Sequence, residues 1–107
     1  MRATEFAAGV RLDGDTATIE LSGDISSAAE SELLDAYAKI GDAHVVVLDF
    51  AAVDYINSTG IALIVGLLAE SRKASREVQA RGLAEHYREI FRITRLSDFM
   101  TILDDER

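Results

Sequence analysis

The sequence predicts an α/β fold: a mixed β-sheet of four to five strands packed with three to four α-helices, in a single domain over residues 1–107. Three observations carry this. Val45-Val46-Val47-Leu48 is a short β-branched run, as expected of a strand buried on both faces. The apolar run from Ile61 to Ala69 is too long for most strands and reads as a helix. Asp13-Gly14 between two alternating segments marks a hairpin, after which strand and helix patterns alternate.

Taken in order, residues 5–12 alternate loosely, with Phe6, Ala8, Val10 and Leu12 on one side. The return strand, Thr16 to Leu21, sets Ala17, Ile19 and Leu21 against Thr16, Thr18 and Glu20, and Ser22-Gly23-Asp24 breaks it. Ser26 or Ser27 then caps a helix, with Glu30 in its first turn. Ala29, Leu33, Tyr37 and Ile40 hold a helical period up to Gly41, a suitable C-cap.

The next strand covers residues 44–49, and a helix runs from about Thr59 to Ala74. Ile61, Ile64, Val65 and Leu68 form the stripe that packs on the sheet. Leu63 and Leu67 lie off it, either covered by neighbouring elements or kept for a partner. Glu77 to Gly82 is a strand with Val78 and Ala80 inward. A helix follows at Ala84 to Arg92, its apolar side made by Leu83, Tyr87, Ile90 and Phe91. Leu96, Phe99 and Met100 close the core; Thr101 to Leu103 form a last strand or helical turn, and the polar DDER tail frays.

Composition removes several functional classes. With no cysteine there are no disulfides and no thiolate chemistry. The net charge of −8 and the scattered lysines and arginines argue against nucleic acid and suit a basic protein partner. The basic group Arg72, Lys73, Arg76 and Arg81 reads as a solvated helix end. There is no run of membrane-spanning length, and MRATEFAAGV lacks the apolar core of a signal peptide, so the expected location is the cytoplasm.

The chemistry concentrates at Asn57-Ser58-Thr59-Gly60, where a hydroxyl meets the start of the apolar helix. Asn57 and Ser58 are both good caps, so either can bond the free N–H groups of the first turn. Those groups and the helix dipole also favour an added anion such as a phosphate. Gly60 is expected to allow close approach of a loop or a partner. A nucleophilic Ser58 would need a base, and the two histidines, His44 and His86, sit elsewhere in the pattern. No nucleophile elbow, P-loop, dinucleotide fingerprint or metal-ligand spacing is present, so no cofactor, no metal and no catalytic residue are expected.

The stretch VVVLDFAAVDYINSTGIALIVGLL resembles the signature of the STAS domain family, in particular bacterial anti-sigma factor antagonists. Leu21-Ser22-Gly23-Asp24-Ile25 resembles the family's first loop, and Ile90-Phe91 followed by Leu96 its closing helix and turn. The resemblance implies a phosphorylatable interaction switch. Unphosphorylated, it would bind an anti-sigma factor with serine kinase activity and so free a sigma factor; a serine phosphatase would reset it. It maps the phosphorylated serine onto Ser58, with Thr59 as second candidate. The implied partner surface comprises Asp24, Ser26, Ser27, Asn57, Ser58, Thr59, Gly60, Leu63 and Leu67, on a monomer or weak dimer.

Two positions depart from the family pattern. Asn57 stands where the family usually has Asp, and Ser26 where the loop usually carries a second Asp. A unit charge some 6 Å from another, at an effective dielectric near 20, is worth roughly 3 kcal/mol. Losing such charges should ease a phosphate onto Ser58 and can remove a contact a kinase requires. The resemblance also admits a STAS module that is not phosphorylated, a subunit of a larger signalling or transporter-associated complex.

Overall fold

The computed structural model describes residues 5–103. Five strands form one sheet in the order β1-β2-β3-β4-β5: β1 Ala7–Asp13, β2 Thr16–Ile25, β3 Val45–Ile56, β4 Glu77–Arg81 and β5 Thr101–Ile102. The helices are α1 Glu30–Ala38, α2 Ser58–Lys73 and α3 Glu85–Ile93, with 3₁₀ turns at Ser27–Ala29 and Leu96–Asp98. The β1–β2 hairpin is antiparallel and every other pairing is parallel, so the expected mixed sheet forms. Asp13 pairs with Thr16, and Gly14 takes a φ of +62°, the left-handed geometry a two-residue turn of this kind requires.

One face of the sheet carries the core. Ala17, Ile19 and Leu21 of β2, Val46, Leu48 and Phe50 of β3 and Val78 and Ala80 of β4 are buried with Leu33, Ile64, Leu68 and Phe91 from the helices. Phe50 and Phe91 meet edge to face, ring centroids 6.0 Å apart. The opposite face alternates to half-buried or exposed residues such as Thr18, Glu20 and Gln79. Val47, on that second face between Thr18 and Gln79, is buried nonetheless, because it lies in the central strand.

Two strands run further than their sequence patterns predict. Ser22-Gly23-Asp24 does not end β2. The chain passes through it with two register shifts against β3, and Gly23 at φ +83° takes up the bend. A Cβ at Gly23 would also collide with the Glu5 carbonyl, so only glycine fits there. β3 continues from residue 49 to Ile56 because the extended β2 supplies partners: Ser22 opposite Ala52, Asp24 opposite Tyr55, Ile25 opposite Ile56. Asp49 sits at the irregularity and its Oδ1 accepts the Ala51 N–H at 3.0 Å.

Side-chain placement differs at three positions, Leu12, Val65 and Phe99. Leu12 is exposed near the tip of the hairpin, with its neighbours Arg11 and Asp13 exposed alongside it. Val65 is exposed while Leu67 is buried, because α1 packs beside α2 and turns the buried stripe toward itself. Phe99 is half exposed and carries the Arg72 guanidinium 5.3 Å above its ring, so it does not close the core as Leu96 and Met100 do.

Arg76 is no solvated cation either. Its Nε donates to the Ala43 carbonyl at 2.8 Å, Nη1 to the Tyr37 hydroxyl at 3.0 Å and Nη2 to the Gly41 carbonyl. Tyr37 in turn bonds the fully buried Ser71 hydroxyl at 3.0 Å. This network fastens the α1–β3 connection, with Gly41 at φ +62°, to the end of α2. Its polar atoms are all satisfied, as burial demands.

Candidate functional site

The site is built where α2 starts. Asn57 is extended (φ −94°, ψ −176°), and its Oδ1 accepts the Gly60 N–H at 2.8 Å. Its backbone carbonyl accepts the Ile61 N–H at 2.9 Å, the first turn of the helix. Of the two possible caps, Asn57 therefore takes the role. Ser58 and Thr59 are exposed, and among the described residues the Ser58 hydroxyl has no hydrogen-bond partner. It is presented at the positive end of a sixteen-residue helix.

Gly60 explains why this turn lies where it does. A Cβ there would fall on the Ile25 carbonyl and come within 3.0 Å of Ile56 Cγ2. The Asn57 N–H donates to that same Ile25 carbonyl at 3.2 Å. The first turn of α2 thus rests directly on the end of β2. This sets the end of β2 and the 3₁₀ turn after it, which carry Asp24, Ser26 and Ser27, against the helix that Asn57, Ser58 and Thr59 open. Ser26 is spent locally, its Oγ accepting the Ala28 N–H at 3.4 Å to cap the 3₁₀ turn. Ser27 is exposed and Asp24 half-buried.

Two of the residues assigned to the partner surface are buried. Gly60 is buried against Ile25, so the close approach it permits is intramolecular. Leu67 is 7% exposed, covered by α1. Leu63 remains half-buried beside it.

Tyr55 was missed by sequence reasoning. It is 53% exposed and lies opposite Asp24 in the β2–β3 ladder, next to the serine-bearing turn. The signal was available in the alternation of Val53, Asp54, Tyr55 and Ile56, which continues the strand. Tyr87 was assigned only to an apolar face, yet its hydroxyl accepts the Ile56 N–H at 2.9 Å and pins the last residue of β3. Tyr87→Phe should therefore leave that amide unpaired. We expect a loss of about 1–3 kcal/mol in urea unfolding and faster hydrogen exchange at Ile56.

The electrostatics are one-sided. Residues 12–38 and 40–71, which supply β2, α1, β3 and nearly all of α2, contain no lysine or arginine. An anion on Ser58 would find backbone N–H groups and the helix dipole in these segments, with Asp54 four residues before it in the chain and Asp24 paired with Tyr55 in the β2–β3 ladder. Neither histidine bonds Ser58. His44 directly precedes β3, roughly 35 Å away along a twelve-residue strand. Its Nδ1 lies 2.8 Å from Asp15, and that hydrogen bond holds the Asp15 carboxyl below its ordinary range. His86 is exposed with its ring against Tyr87. Among the described residues no group of three or more histidines or carboxylates could hold a metal, and no helix is long and apolar enough to cross a membrane.

The profile of the family described as Mlab, STAS domain, matches residues 8–104. The chain belongs to the STAS domain family. As a STAS domain it is 30% identical over 97 residues to the anti-sigma-B factor antagonist of Listeria monocytogenes, covering 88% of this chain and 84% of that one. An anti-sigma factor antagonist from Mycobacterium paratuberculosis superposes with a TM-score of 0.74 at 20% identity, over 94% of this chain and 86% of that one. Unphosphorylated SpoIIAA, an anti-sigma factor antagonist, gives 0.72 at 15% identity, over 95% and 90%. Phosphorylated SpoIIAA from Bacillus gives 0.67 at 17%, over 92% and 93%. At these identities the structures establish the STAS fold, here a five-stranded mixed sheet with three helices.

Proposed function

We propose that this STAS domain is an anti-sigma factor antagonist, a cytoplasmic interaction switch whose state is set by phosphorylation of Ser58. Unphosphorylated, it binds an anti-sigma factor with serine kinase activity, and so releases a sigma factor to direct transcription. A serine phosphatase restores the binding form. The chain acts as one interaction module over residues 1–107 and performs no catalysis of its own. Asp24, Ser26, Ser27, Asn57, Ser58 and Thr59 form the docking surface, and Tyr55 joins them as an exposed aromatic anchor.

The observation that carries this reading is the division of labour at the start of α2. Asn57 holds the cap, so Ser58 is free to be modified without loss of the helix. The likeness to the Listeria antagonist supports the choice of partner class. The experiment is intact mass on the protein purified from its native cells, with the site mapped by fragmentation. A phosphate on Ser58, absent in Ser58→Ala, is the expected result. A phosphate on Thr59 would move the switch by one residue. None under any growth condition would favour the unphosphorylated interaction subunit, the reading to which Asn57 and Ser26 in place of acidic residues lend weight.

A further inference from the structure

α1 and α2 leave a groove of about 340 Å³ between them, lined by Glu30, Leu33, Leu34, Leu63, Gly66 and Glu70 among others. Leu34 is 60% exposed at its edge. Glu30 opens α1 immediately after the 3₁₀ turn that abuts α2, and Glu70 lies next to Ser71, which bonds Tyr37 near the end of α1. The two helices therefore run alongside each other, with a carboxylate toward each end of the groove. The lining residues include no lysine or arginine, and Glu70 has the Lys73 ammonium 3.6 Å from its carboxylate, an exposed pair that a docking cation would compete with.

Gly66 is the second observation. A glycine inside a helix costs roughly 1 kcal/mol relative to alanine. Gly60, also in α2, has an intramolecular reason to be glycine, but a Cβ at Gly66 would meet nothing within 4 Å. Its φ is not in the left-handed region either. Nothing within the fold requires the bare backbone that Gly66 gives to the middle of the groove.

We infer that this groove receives an amphipathic helix of the protein partner, with apolar side chains spaced over about three turns and basic residues at both ends. The inference rests on the reading of the Ser58 surface as a docking surface and extends it along α2. Thr59, Ala62, Leu63, Gly66 and Glu70 follow one stripe of that helix, about 16 Å long at 1.5 Å per residue. That span suits anchors at i, i+3, i+4 and i+7 of a docked helix. Gly66 lets its backbone come close, and Glu30 and Glu70 meet its cationic ends. The net charge of −8 draws the same class of partner.

The test is an NMR titration of isotopically labelled protein with a synthetic 18-residue helical peptide, leucines on one stripe and lysines at both ends. A peptide with glutamates at the ends is the control. Shifts should concentrate in residues 30–37 and 59–70. Gly66→Leu, which fills the groove, and the Glu30→Lys/Glu70→Lys pair should each weaken binding about tenfold or more. Gly66→Ala, melting no lower than wild type, controls for folding. Equal affinity of wild type and Gly66→Leu, shifts elsewhere, or no binding at all would overturn the inference. So would a dimer by light scattering that Gly66→Leu dissolves, since a second copy would then occupy the groove. The peptide involves no phosphate and no kinase, so its failure would leave the Ser58 switch standing.

Discussion

Ser58→Glu is expected to bind the anti-sigma factor about a hundredfold more weakly than Ser58→Ala, which should bind like wild type. The cause is local. Ser58 is exposed, and its hydroxyl has no partner among the described residues, so removing it should cost the isolated domain almost nothing. A carboxylate in its place must be desolvated when the partner docks, in a region whose own segments supply no lysine or arginine. Like-charge contact and unpaired desolvation across an interface cost several kcal/mol, and each 1.4 kcal/mol is a factor of ten. The fold itself should tolerate the charge, because a negative group at a helix N-terminus gains about 0.3–1 kcal/mol. Calorimetric titration and thermal melts of the same two variants separate these effects. Equal affinities would take Ser58 out of the interface, and a large fall in melting temperature would make it a structural residue.

Much of this site is legible in the sequence because its logic is local. The apolar strand, the capping tetrad and the apolar helix need no information beyond their own spacing. The Asp13-Gly14 hairpin is equally self-contained. What stays hidden depends on other parts of the chain. Ala51 and Ala52 are strand residues only because β2 runs on past Leu21 to pair with them, and Ser22-Gly23-Asp24 reads locally as a stop. Tyr55 is set on the surface opposite Asp24 through the same extension. Val65 is exposed against expectation, and Leu67 takes the covered alternative, because α1 lies on one side of α2, a fact that no helical period contains. Phe99 reads as core by its type, but the Arg72 guanidinium covers its ring instead. Tyr87 has an apolar pattern and a polar task, and only the position of the Ile56 amide reveals the second.

The same dependence makes Gly60 the most sensitive residue of the turn. Gly60→Ala is expected to destabilise the domain by about 3 kcal/mol or more, although alanine is the better helix former by about 1 kcal/mol. The added methyl would fall on the Ile25 carbonyl, which is backbone and cannot rotate away. Relief requires the first turn of α2 to lift from β2. That lengthens the bond from the Asn57 N–H to Ile25 and disturbs the cap that Asn57 gives to residue 60. The loss should appear as a lower urea midpoint at unchanged slope. It should be accompanied by weaker partner binding, because Asp24–Ser27 and Asn57–Thr59 no longer share one surface. Gly66→Ala, six residues along the same helix and open to space, should move stability the opposite way. If the two substitutions behaved alike, contact with Ile25 would not be what seats the serine, and the docking surface would have to be organised by some other contact.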